Sequence, residues 1–177
     1  MSWGNNVILS REIHEITKYL FFFNIANLFT TNSTYSSRLT TISSRFNRNN
    51  STNGNYYYEA ILVTVSIAGL YRFRSVSDID TYAYLYNRSF LPLSPSMNLI
   101  VQNDDGVNTN QFQFTISLQP NVRYILVTTT YNENVIGSFN VIVSGQVRVN
   151  LERLNITGIT SATTTQATNR FSTSNCK

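Results

Sequence analysis

The chain has one cysteine, Cys176, and one histidine, His14, among its 177 residues. A single cysteine excludes an intrachain disulfide, and one of each leaves no Cys/His metal site to assemble. Charge is sparse too, at 12% of residues. The longest apolar run, Tyr19 to Phe29, is interrupted by Asn24 and Asn27. It falls well short of the ~20 residues a bilayer-spanning helix needs, so no transmembrane span is expected. There is no Gly-rich phosphate loop, His-rich metal motif or nucleophile elbow. A Ser-His-Asp arrangement would have to recruit His14 from the N-terminal segment. Two-carboxylate hydrolysis stays formally open through Asp80 and Asp105, whose loop setting suggests ordinary solvated acids. The expectation is a protein that is not an enzyme.

What is abundant points to strands. Asn, Ser and Thr make up 64 residues, and aromatics 13%. Disordered chains are poor in aromatic and β-branched residues, whereas strands favour both. The class expected is all-β. The net charge of +4 is unevenly placed. Residues 56–150 carry five Arg and six acids, a balance of −1, whereas 1–55 contribute +3 and 151–177 contribute +2. Nucleic-acid binders concentrate basic residues on a folded face. Here the excess lies outside the β-rich region, so no nucleic-acid partner is expected.

Four stretches differ in character. In residues 1–29, Ile13, Ile16, Leu20 and Phe23 recur at helical spacing, and the apolar run has the length of a signal-peptide core. This segment reads as a leader or an amphipathic helix. Residues 30–55 read as a polar linker with room for one irregular edge strand, ending at Asn53-Gly54-Asn55. Residues 56–154 read as the β-sandwich. Residues 155–177 form a Ser/Thr-rich tail expected to be disordered.

Within the sandwich region apolar residues alternate strictly. Ile61, Val63 and Val65 alternate with Leu62 and Thr64, and Tyr71 and Phe73 with Arg72 and Arg74. Tyr82, Tyr84 and Tyr86 occupy every second position, and Phe112, Phe114, Ile116 and Leu118 repeat the pattern. Arg123 to Thr130, Phe139 to Ser144 and Val147 to Leu151 complete it. Seven to eight short strands separated by turns predict an antiparallel two-sheet sandwich.

Three sets of residues are candidate sites. Asp78 and Asp80 flank one strand start, and Asp104 and Asp105 sit in a later loop beside Asn103. Four carboxylates could hold Ca²⁺, a hard cation taking six to eight oxygens; the competing role is turn capping. Tyr82, Tyr84 and Tyr86 could offer a ligand-binding platform, against the competing role of core and cross-strand packing. N-glycosylation sequons fall at Asn32, Asn49, Asn50, Asn87 and Asn155. In a chain this rich in Asn, Ser and Thr they permit secretion without showing it.

The ordered set of strand sequences resembles the bacterial pre-peptidase C-terminal domain and its relatives in secreted and cell-surface proteins. The resemblance is carried by Tyr57-Tyr58-Glu59-Ala60-Ile61-Leu62-Val63, Gly69-Leu70-Tyr71-Arg72-Phe73 and Ser77-Asp78-Ile79-Asp80-Thr81-Tyr82. Asn103-Asp104-Asp105-Gly106, the strand Phe112 to Leu118 and Gly137-Ser138-Phe139-Asn140-Val141 continue it. Roughly half the chain is covered. The loop at 106–110 is less Gly-rich than in that family, and Arg88 to Met97 is a longer insertion. The resemblance implies a jelly-roll-like fold and an accessory, non-catalytic role outside the cell or on its surface. It also implies that an acidic loop can bind calcium, and that the partner is an extracellular protein or polysaccharide. The alternative is a structural spacer or repeat unit with no ligand of its own.

Overall fold

A computed structural model describes residues 31–48, 55–106 and 110–156, together with His14. The segment 1–29 apart from His14, the sequons at Asn49 and Asn50, and the tail beyond 156 lie outside the described residues. The fold is an all-β antiparallel sandwich. Its four-stranded sheet has the order β1 (Thr31–Leu39), β10 (Gly137–Gly145), β5 (Gly69–Ser77), β8 (Gln113–Leu118). Its five-stranded sheet has the order β11 (Asn150–Leu154), β4 (Glu59–Thr64), β9 (Tyr124–Thr130), β6 (Thr81–Asn87), β7 (Leu99–Asn103). A short pair, β2 (Arg45–Phe46) and β3 (Tyr56–Tyr57), forms a separate ladder packed against the five-stranded sheet. From β4 onward the chain changes sheet at every connection but one, the β6–β7 hairpin.

The alternation read from the sequence places the inner faces directly. Ile61, Val63, Tyr71, Phe73, Leu85, Leu126, Val141 and Val143 are all at most 1% exposed and share one core between the sheets. Phe73 stacks on Phe114 at 5.1 Å between ring centroids. Fully buried side chains of this kind each hold ~2–5 kcal/mol against truncation to Ala. Gly145 lets β10 pass over the Tyr71 ring, because a Cβ there would lie 2.4 Å from Tyr71 Cδ1.

The sheet extends further towards the N-terminus than residue 56. β1 pairs with β10 without a break, from Thr31↔Gly145 to Leu39↔Gly137, so the segment expected as a polar linker supplies a regular edge strand. Its inward residues are mostly polar because they meet polar partners. Tyr35 and Ser37 both donate to the Glu59 carboxylate, and Arg153 pairs with it at 3.0 Å. Ser33 Oγ accepts from the Val149 amide at 2.8 Å. These bonds close the seam between β1 of one sheet and β4 and β11 of the other. They satisfy a carboxylate whose side chain is only 3% exposed.

The two sheets differ in their outer faces. That of the four-stranded sheet is half-buried to exposed and largely polar, with Arg72, Arg74, Thr115 and Asn140. The five-stranded sheet buries both faces of its inner strands β9 and β6, while its edges β7 and β11 stay half-buried to exposed. Every residue of β9, and six of the seven in β6, is therefore buried. Its outer face carries a second core of Tyr58, Ala60, Tyr82, Tyr84, Tyr86, Ile125 and Val127, roofed by Phe46 and Phe90.

Candidate functional site

Asp80 on the β5–β6 turn lies within electrostatic reach of Asp104 and Asp105 in the β7–β8 loop, at one corner of the sandwich. The turn is held from both sides. The Tyr131 amide donates to the Asp80 carbonyl at 3.1 Å, and Gln111 Nε2 donates to the Ser77 and Ile79 carbonyls, each at 3.1 Å. The loop is pinned to β8 by the Gln113 amide donating to Asn103 Oδ1 at 2.9 Å. It is closed by the Gly106 amide donating to the Gln111 carbonyl at 2.9 Å. Only glycine fits there, since a Cβ on Gly106 would sit 2.3 Å from Gln113 Cβ.

Asp80 is the strained member. Its half-buried carboxyl is pushed above the ordinary carboxylate range, first by burial and then by the negative charges of Asp105 and Asp104. Arg48 opposes the shift. Asp80 Oδ1 is buried with no hydrogen-bond partner, and so is Oε1 of Gln111, the side chain that clamps the same turn. Buried orphan oxygens are uncommon in folded proteins, and these two belong to the turn and to the side chain that clamps it. Asp78 is exposed on the turn, and the charges acting on Asp80 are those of Asp105, Asp104 and Arg48. Among the described residues, no three His, Cys, Asp or Glu side chains group closely enough to hold a metal ion. The buried, unpartnered oxygens at this corner are Asp80 Oδ1 and Gln111 Oε1, and Asp104 and Asp105 add negative charge.

Tyr82, Tyr84 and Tyr86 form a ladder on the outer face of β6, with Tyr82–Tyr84 centroids 4.8 Å apart and Tyr84–Tyr86 6.3 Å apart. All three are buried. Phe46 packs edge-on against Tyr84, Phe90 covers Tyr86, and the Tyr86 hydroxyl donates to the Pro95 carbonyl at 2.8 Å. Burial raises the Tyr84 and Tyr86 phenols above their ordinary value. The ladder is the floor of the second core, and its rings present no open platform.

Arg48 caps that ladder, and no sequence signal marked it. Its guanidinium lies 3.9 Å from the Tyr82 ring centroid and 4.9 Å from that of Tyr56. Arg48 Nε donates to the Tyr84 hydroxyl at 2.8 Å, and Nη1 donates to the Tyr131 carbonyl, also at 2.8 Å. It stands in a run of Arg, Asn and Ser that reads as solvated linker. Only the fold shows that its charge serves both the aromatic face and the acidic corner.

Of the described sequons, Asn32, Asn87 and Asn155 are all exposed. Asn32 Oδ1 accepts from Ser144 Oγ at 2.7 Å. No helix among the described residues is long and apolar enough to cross a membrane. No protein-family model matches the chain, and no curated protein sequence matches it.

Proposed function

We propose that this chain is a non-catalytic interaction module of the extracellular or cell-surface kind, with Ca²⁺ bracing its acidic corner and an extracellular protein or polysaccharide as partner. The observation that carries the reading is the buried, unpartnered Oδ1 of Asp80 beside the charges of Asp104 and Asp105. A divalent cation would relieve both penalties at once, by ligating the orphan oxygen and by cancelling the repulsion. Asp80 of the β5–β6 turn and Gln111 of the β7–β8 connection would ligate it, with Asp104 and Asp105 supplying charge and not ligands. The ion would then tie two loops that otherwise repel. A site with so few carboxylates belongs to the weak range of ~10⁻⁴–10⁻³ M, which fills at extracellular calcium levels. The resemblance to accessory domains of secreted proteins supports the same compartment.

One observation favours a spacer without a ligand. The aromatic residues that could have formed a sugar or peptide platform are packed under Phe46, Arg48 and Phe90. Isothermal titration of calcium chloride into chelator-treated protein, followed by glycan and matrix-protein arrays with and without calcium, separates the readings. The module predicts a saturable heat and at least one reproducible, calcium-dependent array signal lost in Asp80→Ala. Heat without any array signal supports the spacer, and no heat removes the calcium brace.

A further inference from the structure

The outer face of the five-stranded sheet also carries a trough, away from the acidic corner and independent of the calcium reading. One wall is the segment Arg88 to Ser94. At its start, Arg88, Arg123, Phe90, Ile125 and Leu154 line a hollow of about 230 Å³. Further along, Leu91, Pro92, Leu93, Tyr58 and Ile156 line a second hollow of about 510 Å³. Ile156 lines both, and Phe90 leads directly into Leu91, so the two hollows adjoin along this wall. Leu93 is 92% exposed on its wall, a large apolar side chain left in water.

The trough is polarised. The Arg88 amide donates to the Arg123 carbonyl at 2.8 Å, which joins the two backbones, and both residues line the smaller hollow at this end. Both side chains are exposed, and neither guanidinium has a hydrogen-bond or ion-pair partner among the described residues. Arg88 holds φ at 68°, a left-handed backbone that a non-glycine residue adopts only at a cost. The acids near this face are already engaged. Glu59 accepts from Tyr35 and Ser37 and pairs with Arg153, and Glu152 accepts from Asn150 Nδ2 at 2.7 Å. Arg45, at the far end, is spent on Tyr57, lying 4.2 Å from its ring centroid and bonding its hydroxyl.

Two guanidinium groups without a partner among the described residues at one end, and an apolar hollow at the other, match an anionic head on a hydrocarbon tail. We propose that this trough binds a free long-chain carboxylate. The carboxylate sits on Arg88 and Arg123, and the tail runs past Ile125, Leu154 and Ile156 into the hollow beneath Leu91, Leu93 and Tyr58. Guanidinium forks suit carboxylates, and the larger hollow has the volume of an ordinary small-ligand site. A bound tail would cover Leu93.

The test is a fluorescence titration of the full chain with dansylated undecanoate, displaced by decanoate. Saturable binding, displaced by decanoate and weakened about tenfold or more in Arg88→Gln/Arg123→Gln and in Leu93→Asp, supports the site. These positions are exposed, and circular dichroism checks that each variant keeps the β fold. Failure of the probe to bind overturns the proposal. So does equal displacement by decan-1-ol, which would leave the arginines without a role. Co-sedimentation with phosphatidylglycerol vesicles without any binding of decanoate would overturn it as well, by making the trough a membrane contact.

Discussion

The guanidinium of Arg48 sits 3.9 Å from the centre of the Tyr82 ring while its charge acts on the carboxyl of Asp80. One side chain therefore roofs the second core and partly neutralises the acidic corner. Removing it exposes aromatic surface, leaves the Tyr131 carbonyl without its donor and strips Asp80 of its nearest cation.

Arg48→Ala is expected to cost about 1–3 kcal/mol, combining the lost cation–π contact with the lost charged hydrogen bonds. Arg48→Lys keeps the charge but not the planar fork, so it should recover less than half of that loss. Urea denaturation of the three proteins measures both values. A Lys variant as stable as the parent would mean that charge alone matters at this position.

The seam at Glu59 gives a graded series. Glu59→Ala removes the acceptor for Tyr35 and Ser37 at a buried site and should cost about 2–4 kcal/mol. Tyr35→Phe deletes one bond and should cost about 1–2 kcal/mol. Arg153→Ala should cost under about 1 kcal/mol, because its side chain is 59% exposed and can exchange its partner for water. The order of the three midpoints is the check, and an Arg153 loss as large as that at Glu59 would contradict it.

Alkaline pH should unfold the protein through its phenols. Burial is the leading cause of raised values for Tyr35, Tyr58, Tyr71, Tyr84 and Tyr86 relative to the ordinary 10.0. The folded state holds these protons more tightly than the unfolded chain. Their contribution is therefore complete below pH 10 and is lost as pH rises above it. Near-ultraviolet phenolate absorbance and the β-sheet dichroism should then change together in one cooperative step. Separate early ionisation of these five rings would show that they are not buried.

Much of this architecture was legible in the sequence, and the exceptions have physical causes. Where one strand face meets the core and the other meets water, as in Tyr71-Arg72-Phe73-Arg74, the period-two pattern is plain. The pattern fails for β1, whose inward Ser33 and Ser37 bond polar groups of the opposite sheet instead of entering the core. It is ambiguous for Tyr82, Tyr84 and Tyr86, because alternation shows that the tyrosines share a face but not what covers it. Their roof comes from Phe46, Arg48 and Phe90, all three in stretches read as linker or insertion, the first two more than thirty residues away along the chain. The acidic corner was half visible. Asp80, Asp104 and Asp105 were picked out by residue type, whereas Gln111, which clamps the turn, sits at the head of an amphipathic strand and gave no sign of that role.

Asp80 provides the most direct test of the calcium-braced module. Its raised carboxyl means that folding disfavours the ionised form, so the stability tied to this group is present at low pH and lost as pH rises through its folded value. At neutral pH without calcium, Asp80→Asn should therefore melt higher than the parent. Calcium at ten times its dissociation constant should stabilise the parent by about 1.4 kcal/mol. The decisive measurement is the melting temperature of parent and Asp80→Asn in chelator and in millimolar calcium, with magnesium as the control. The account predicts a parent that rises with calcium and a variant that starts higher and does not respond. A parent unmoved by calcium, or a variant that responds equally, would contradict it.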